Sequence, residues 1–382
     1  MENDAQLRRE RICACALLHQ FGFKPLLARK LTDELGSAAA VFDLPARDRA
    51  RLGLPSNAEE EAERELDGLA RRGARFLALS EEAFPELLRD CPDAPPGLYV
   101  RSETPPEELF NRTTPIAVVG TRDISLYGKD CCPRIVGSLA RGCSEKPAIV
   151  SGLALGVDIA AQLAALSFGL PTIGVLPTGI DEIYPRTHRV AAAKIAAAPG
   201  SALVTDYPPG TAPQPFTFLR RNRIIAGLSR ATLVVESRIR GGALITARLA
   251  HEYGREVYAV PGRMDDPRSA GCNLLIRERV AEILPSPADL PAALGLGFAE
   301  AEKGSAKALE ARIAAFAEGP QRDLLLRLAQ LVAAERGLTV EELSARLDRP
   351  YAETSVLAGL LENEGILLRD LLGQCRINAE IV

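Results

Sequence analysis

Six short apolar runs constrain this chain more than any other feature: Ile116–Val119, Ala148–Val150, Thr172–Leu176, Ala202–Val204, Leu233–Val235 and Val257–Val260. Helical stretches lie between most of them, including Gly128–Ala140, Asp158–Phe168, Arg186–Ala198 and Leu244–Tyr253. Continuous apolar strands alternating with amphipathic helices predict an α/β fold, a doubly wound and mostly parallel sheet covered on both faces. Ligands on such sheets sit beyond the carboxyl ends of the strands. The loops there are where chemistry is expected.

Three of those loops are marked by glycine. Val118-Val-Gly-Thr-Arg122 sets a tight turn and a basic side chain directly after a strand. Val150-Ser-Gly-Leu-Ala-Leu-Gly-Val-Asp158 and Arg240-Gly-Gly-Ala-Leu-Ile-Thr246 each follow a strand and open a helix. Glycine lets a ligand approach backbone N–H groups, and helix N-termini favour phosphate. Between the last two lies Phe216-Thr-Phe-Leu-Arg-Arg-Asn-Arg-Ile-Ile-Ala-Gly-Leu-Ser229, where Arg220, Arg221 and Arg223 crowd the start of a helix. Guanidiniums repel one another, so such a cluster is most comfortable around an anion, and phosphate accepts bidentately from arginine.

Charge points the same way. The chain's formal charge of −4 hides an asymmetry: residues 112–280 hold 21 basic and 13 acidic residues, a net of +8 that leaves −12 on the flanks. A basic centre between acidic ends fits a local polyanion site. The usual nucleotide fingerprints are missing, with no G-x-x-x-x-G-K-[ST] and no G-x-G-x-x-G after the first strand, and no G-x-S-x-G elbow occurs. Asp158 and Glu236 read as helix-start carboxylates or loop hydrogen-bonders. Only His19, His188 and His251 are present, and no C-x-x-C pair exists, so neither a catalytic residue nor a metal site is expected. The eight cysteines read as reduced, partly buried thiols. With a polar N-terminus and no apolar run long enough to span a bilayer, the expected location is cytoplasmic.

The flanks have their own patterns. Residues 1–72 read as a helical domain whose Phe21-Gly-Phe-Lys-Pro25 turn resembles a helical hairpin, with Glu59–Arg72 as a connector. The proline-rich Ala94-Pro-Pro-Gly-Leu-Tyr-Val100 is expected to lie extended against the sheet. Residues 73–285 form the sheet domain, 286–320 a linker and 321–382 a winged-helix domain. In that last part Asp323–Ala333 is one helix, Thr339-Val-Glu-Glu342 is a capping-box start to a second, and Tyr351–Leu361 is a third. Ile366–Leu368 and Cys375–Ile377 then pair as a wing. The stretch Tyr351–Glu364 carries Glu353, Glu362 and Glu364 but no Lys or Arg, which argues for protein contact or autoregulatory packing over major-groove reading.

Gly120-Thr-Arg122, Ser151-Gly-Leu-Ala-Leu-Gly-Val-Asp158, Tyr184-Pro-Arg186, Arg221-Asn-Arg-Ile-Ile-Ala-Gly-Leu-Ser229, Gly241-Gly-Ala-Leu-Ile-Thr246, Pro261-Gly262 and Gly271-Cys-Asn-Leu-Leu-Ile276 occur in order. Together they resemble the DNA-processing protein A family (DprA/Smf). The resemblance implies a Rossmann-like domain that binds single-stranded DNA, forms a homodimer, and helps load the RecA recombinase in natural transformation, with no enzymatic turnover, cofactor or membrane partner. Other readings of the residues are a Rossmann-like nucleotide hydrolase using Glu236 and a small-nucleotide sensor. By match, the DNA-binding residues are Gly120, Thr121, Arg122, Ser151, Gly152, Gly156, Arg186, Arg221, Asn222, Arg223, Gly241, Gly242 and Asn273. Thr121 replaces the family's serine, and Arg186 stands where a lysine is usual. Within the arginine cluster, Arg221 and Arg223 match the motif and are expected to face the strand in preference to Arg220. Tyr184, Phe216 and Phe218 are the aromatic candidates for base stacking, though phosphate contacts are expected to dominate.

Overall fold

All six apolar runs are strands of one nine-stranded sheet in the structure, a computed structural model that describes residues 2–143, 145–296, 309–334, 338–370 and 373–378. The strands are β1 (Ala74–Ala78), β2 (Gly97–Arg101), β3 (Pro115–Val119), β4 (Ala148–Ser151), β5 (Thr172–Val175), β6 (Ala202–Thr205), β7 (Ala231–Val234), β8 (Glu256–Ala259) and β9 (Glu282–Ile283). Across the sheet the order is β1-β2-β6-β5-β4-β3-β7-β8-β9. From β6 to β9 every pairing is parallel, while β1–β2 and β2–β6 are antiparallel. The proline-rich lead-in thus becomes β2, extended against the sheet as expected.

The chain winds outward from β3 through β4 and β5 to β6, then returns to place β7 on the other side of β3. That reversal makes a topological switch point between β3 and β4 on one side and β7 on the other. At such a point the loops beyond the strands part and leave a crevice.

Helices cover both faces because alternate strand residues point to opposite sides. Ala117 and Val119 pack in one core with residues of α11 (Pro215–Leu228), α12 (Gly242–Glu252) and α13 (Ala270–Arg277). Their neighbours Ile116 and Val118 pack in another with α8 (Leu126–Gly142), α9 (Val157–Ser167) and α14 (Leu290–Ala293). The short α6 (Glu86–Arg89) and α7 (Pro106–Leu109) flank β2, and α10 (Arg189–Ala197) precedes β6.

Two compact units result, Met1–Gly297 and Phe298–Val382. In the first, the N-terminal helices α1 (Glu2–Phe21), α2 (Pro25–Leu35), α3 (Ala38–Phe42), α4 (Ala46–Arg51) and α5 (Ala58–Ala70) share a core with the sheet. Leu17, Leu18, Val41 and Phe42 pack with Tyr99, Leu176 and Leu203. Helix α5, read from its charge as a connector, buries Ala62 and Leu69 in that same core, so no separation falls near residue 72. Of the expected linker, residues 297–308 lie outside the described residues; before them Leu290 and Leu294 are buried against α8.

In the second unit, α15 (Gly319–Ala334), α16 (Val340–Leu347) and α17 (Tyr351–Asn363) precede an antiparallel hairpin of β10 (Leu367–Arg369) and β11 (Cys375–Ile377). Thr339 and Glu342 form the capping box at the start of α16. Leu325, Leu328, Leu343, Leu357 and Ile366 make a separate core. All eight cysteines are buried and free.

Candidate functional site

The crevice at the switch point is a cleft of about 730 Å³. Its floor is the carboxyl end of β3, where Val119 runs into Gly120, Thr121 and Arg122. The Thr121 N–H donates to the Glu236 carbonyl at 2.7 Å, and the Thr121 carbonyl accepts from the Val157 N–H at 3.1 Å. The turn is therefore pinned between the ends of β7 and the start of α9. Gly156 makes this possible: its φ is +80°, and a Cβ there would come within 2.2 Å of the Thr121 carbonyl.

One wall is α11. Pro215 occupies its first position, and Thr217 Oγ1 accepts from the Gln214 N–H at 3.1 Å, which fixes where the helix begins. The opposite wall is the segment Ser237–Gly242, leading into α12. Asn222 ties the two together by donating to the Gly242 carbonyl at 3.3 Å. The N-terminus of α12 thus opens into the cleft, with the positive end of its dipole and its first N–H groups available to an anion.

The three arginines of α11 do three different things. Arg223 is buried and paired with Asp206, and it also donates to the Asp93 carbonyl. Arg220 donates to the same Asp206 oxygen at 2.9 Å and to the Gly22 carbonyl, while its guanidinium lies 4.8 Å from the Phe23 ring centroid. Burial works against the Asp206 carboxylate, but Arg223 and Arg220 together outweigh it and hold it below the usual carboxylate range. Only Arg221 reaches the cleft. Its guanidinium lies over Gly152, where a Cβ would sit 1.5 Å from Nη1, so any larger residue there would displace the guanidinium.

Arg221 is 3% exposed, and its Nε and Nη1 donate to nothing among the described residues. Burial lowers its pKa to about 10, with the Asp158 charge opposing that shift. Burial likewise raises the Asp158 pKa against the pull of Arg221. Asp158 already accepts from the Gly152 N–H at 3.0 Å. A buried guanidinium with unused donors and a partner already shared is poised to take an anion.

Around this buried charge stand exposed ones. Arg122 and Arg240 line the cleft with no ion pair among the described residues, although the Arg122 charge helps to favour the Asp158 carboxylate, and Arg238 is paired with exposed Asp123 at 3.1 Å. The Arg122 guanidinium stacks 4.7 Å from the centroid of Phe218, which in turn meets Tyr184 edge-on at 5.3 Å. Both rings line the cleft, Tyr184 exposed and Phe218 half-buried, so they form a partly open apolar shelf beside the cations. Glu236 takes no part, since its carboxylate accepts from the Ser125 N–H and hydroxyl at the start of α8.

Of the residues expected to bind, the structure brings together Gly120, Thr121, Arg122, Arg221, Asn222, Gly241 and Gly242 on the cleft. Gly152 and Gly156 stand behind it, shaping Arg221 and the β3 turn. Arg186 is exposed but outside the lining. Three residues are turned to other work. The Ser151 hydroxyl is buried and donates to the Val118 carbonyl at 2.6 Å. Asn273 holds both the N–H and the carbonyl of Gly262. Arg223 is locked beneath α11 by Asp206, so the preference for it over Arg220 gives way: neither faces the cleft. Phe216 is exposed but packs on Phe23, away from the lining. Arg238 and Arg240 line the cleft as well, and Arg240 directly precedes the Gly241-Gly242 pair in sequence.

The model of the family described as DNA recombination-mediator protein A matches residues 75–295. Protein Smf of Escherichia coli is 35% identical over 295 residues, 76% of this chain and 73% of that protein. Protein Smf of Synechocystis is 37% identical over 230 residues, 60% of this chain, and the match spans only 56% of that relative's length. Among solved structures, DNA processing protein A of Streptococcus pneumoniae superposes with a TM-score of 0.59 at 31% identity, covering 74% of this chain and 95% of that one. DNA processing protein A of Helicobacter pylori, whose structure is described as showing a single-stranded DNA binding mode, gives a TM-score of 0.50 at 30% identity over 57% of this chain and 95% of that one.

Proposed function

We propose that this chain, which belongs to the DNA recombination-mediator protein A family, binds single-stranded DNA by its phosphates in the switch-point cleft and acts as a recombination mediator without turnover. The observation that carries this is Arg221, a buried guanidinium with unused donors at the bottom of a cleft whose exposed Arg122 and Arg240 form no ion pair among the described residues. A strand threading the cleft would set phosphates against Arg122, Arg240 and the N-terminus of α12, and bases against Phe218 and Tyr184. The contacts are to backbone and ring faces, so little sequence preference is expected. Commitment of both Glu236 oxygens to Ser125 argues against that residue as a general base.

In this reading the protein works in the cytoplasm during natural transformation, forms a homodimer through the sheet unit, and hands the strand to a RecA-type recombinase. Among the described residues no helix is long and apolar enough to cross a membrane. The test is a titration of oligo-dT in low and moderate salt. Affinity should exceed that for thymidine monophosphate and fall steeply with salt; equal affinity for oligomer and monomer would sink the proposal. Light scattering of the purified chain tests the dimer, and RecA filament growth on protein-coated strands tests the hand-over.

A further inference from the structure

We propose that Cys15, His19 and Glu65 bind one divalent cation of the zinc type between α1 and α5. Cys15 and His19 are four residues apart on α1, so they share one face of that helix. Glu65 comes from α5. The Cys15 sulfur, the His19 Nε2 and a Glu65 carboxylate oxygen all lie within 4.8 Å of one another. In a tetrahedral zinc site, bond lengths of about 2.0–2.3 Å put ligand atoms roughly 3.3–3.7 Å apart. Here Cys15 Sγ is 3.3 Å from Glu65 Oε1, and His19 Nε2 is 3.0 Å from Glu65 Oε2. These two contacts use different oxygens of the carboxylate, and the widest spacing in the set, at most 4.8 Å, would contract by up to about 1 Å as the site closes on the ion.

The surroundings are those of a built site. Cys15 is wholly buried on a helix whose Leu17 and Leu18 anchor it in the core. Buried Tyr99, on β2, donates to Glu65 Oε1 at 2.6 Å and lies 3.5 Å from the Cys15 sulfur, so its hydroxyl holds two of the ligands in place, as partners outside the ligand set do in metal sites. The His19 side chain is 45% exposed, which gives the cation an entrance. One thiolate, one imidazole and one carboxylate suit zinc over magnesium or calcium, and three protein ligands leave a fourth position for water. On binding, the Cys15 thiol releases its proton to solvent and the sulfur bonds the metal, with no change of oxidation state. The ligands come from two helices and include no C-x-x-C pair, so cysteine spacing alone does not reveal them. The bound ion would clamp α5 to α1.

The experiment is competition of the full-length chain, stripped with chelator, against a chromophoric chelator for zinc, with cobalt as a spectroscopic probe. One zinc should leave the chelator for each chain, and cobalt should show tetrahedral bands with a thiolate charge-transfer band. His19→Ala, at a half-exposed position, should weaken zinc binding at least about tenfold, and Cys15→Ser should abolish the charge-transfer band while circular dichroism is unchanged. If zinc stays with the chelator, if cobalt binds without a thiolate band, or if His19→Ala binds as the parent does, the cluster is a hydrogen-bonded network only and the proposal fails.

Discussion

Replacing Arg122 and Arg223 separately by alanine tests the reading of the cleft, because the two arginines should fail in opposite ways. Arg122 is exposed and touches Phe218, with no ion pair among the described residues. Losing it should leave stability within about 0.5 kcal/mol of the parent. Each phosphate contact on a single strand contributes about 0.7 to the slope of log affinity against log salt. Arg122→Ala should therefore flatten that slope by about 0.7, which over a fourfold rise in salt is a factor of roughly 2.6.

Arg223 is the reverse case. Its side chain is 6% exposed and that of its partner Asp206 is 1% exposed. Removing one member of a buried ion pair costs about 3–5 kcal/mol, and the low end applies because Arg220 stays beside Asp206. Binding per folded molecule and the salt slope should not change. Stability can be followed by far-ultraviolet circular dichroism in urea, since the chain has no tryptophan; binding can be followed by anisotropy of a labelled oligo-dT. If Arg223→Ala proves as stable as the parent but flattens the slope, the side chain faces the strand and the assignment made here is refuted.

Three further outcomes follow from the same geometry. Gly152→Ala would drive a methyl group into the Arg221 guanidinium, so it should weaken oligo-dT binding at least as much as Arg221→Ala, as a paired anisotropy titration would show. Phe218→Ala should cost about 1–3 kcal/mol of binding if a base stacks there, with the salt slope unchanged, whereas a flattened slope would mean that its role is to hold Arg122. The Asp206 carboxyl is held below its unfolded value near 3.9, so its stabilisation is complete above about pH 4 and lost as pH falls through the lower folded value. Asp206→Asn should thus destabilise at neutral pH, and its deficit should shrink when urea melts are repeated below about pH 4.

The sheet was legible because its strands are buried on both faces and so leave uninterrupted apolar runs. The cleft was legible in outline, because Gly120-Thr-Arg122 and Arg240-Gly-Gly242 mark the two strand ends that the chain reversal sets side by side. What stayed hidden depends on contacts distant in sequence. Nothing local to Asp206 announces that it binds two arginines of a later helix, and nothing in the charged sequence of α5 shows that it is packed in a core. The Cys15, His19 and Glu65 cluster is hidden for the same reason, being divided between α1 and α5.

The division of labour on α11 did have a sequence signal. At about 100° per residue, Arg220 and Arg223 lie about 60° apart on the helix surface, while Arg221 is about 160° from Arg223. Arg220 and Arg223 must therefore share a side, and Arg221 must point nearly opposite to Arg223. An acidic partner for one of the pair is within reach of the other, and Asp206 takes both. By anchoring that side, the Asp206 pairs fix the rotation of α11 about its axis, and the rotation aims Arg221 over Gly152 and Asn222 at α12. The two arginines that do not line the cleft are thus what orients the one that does.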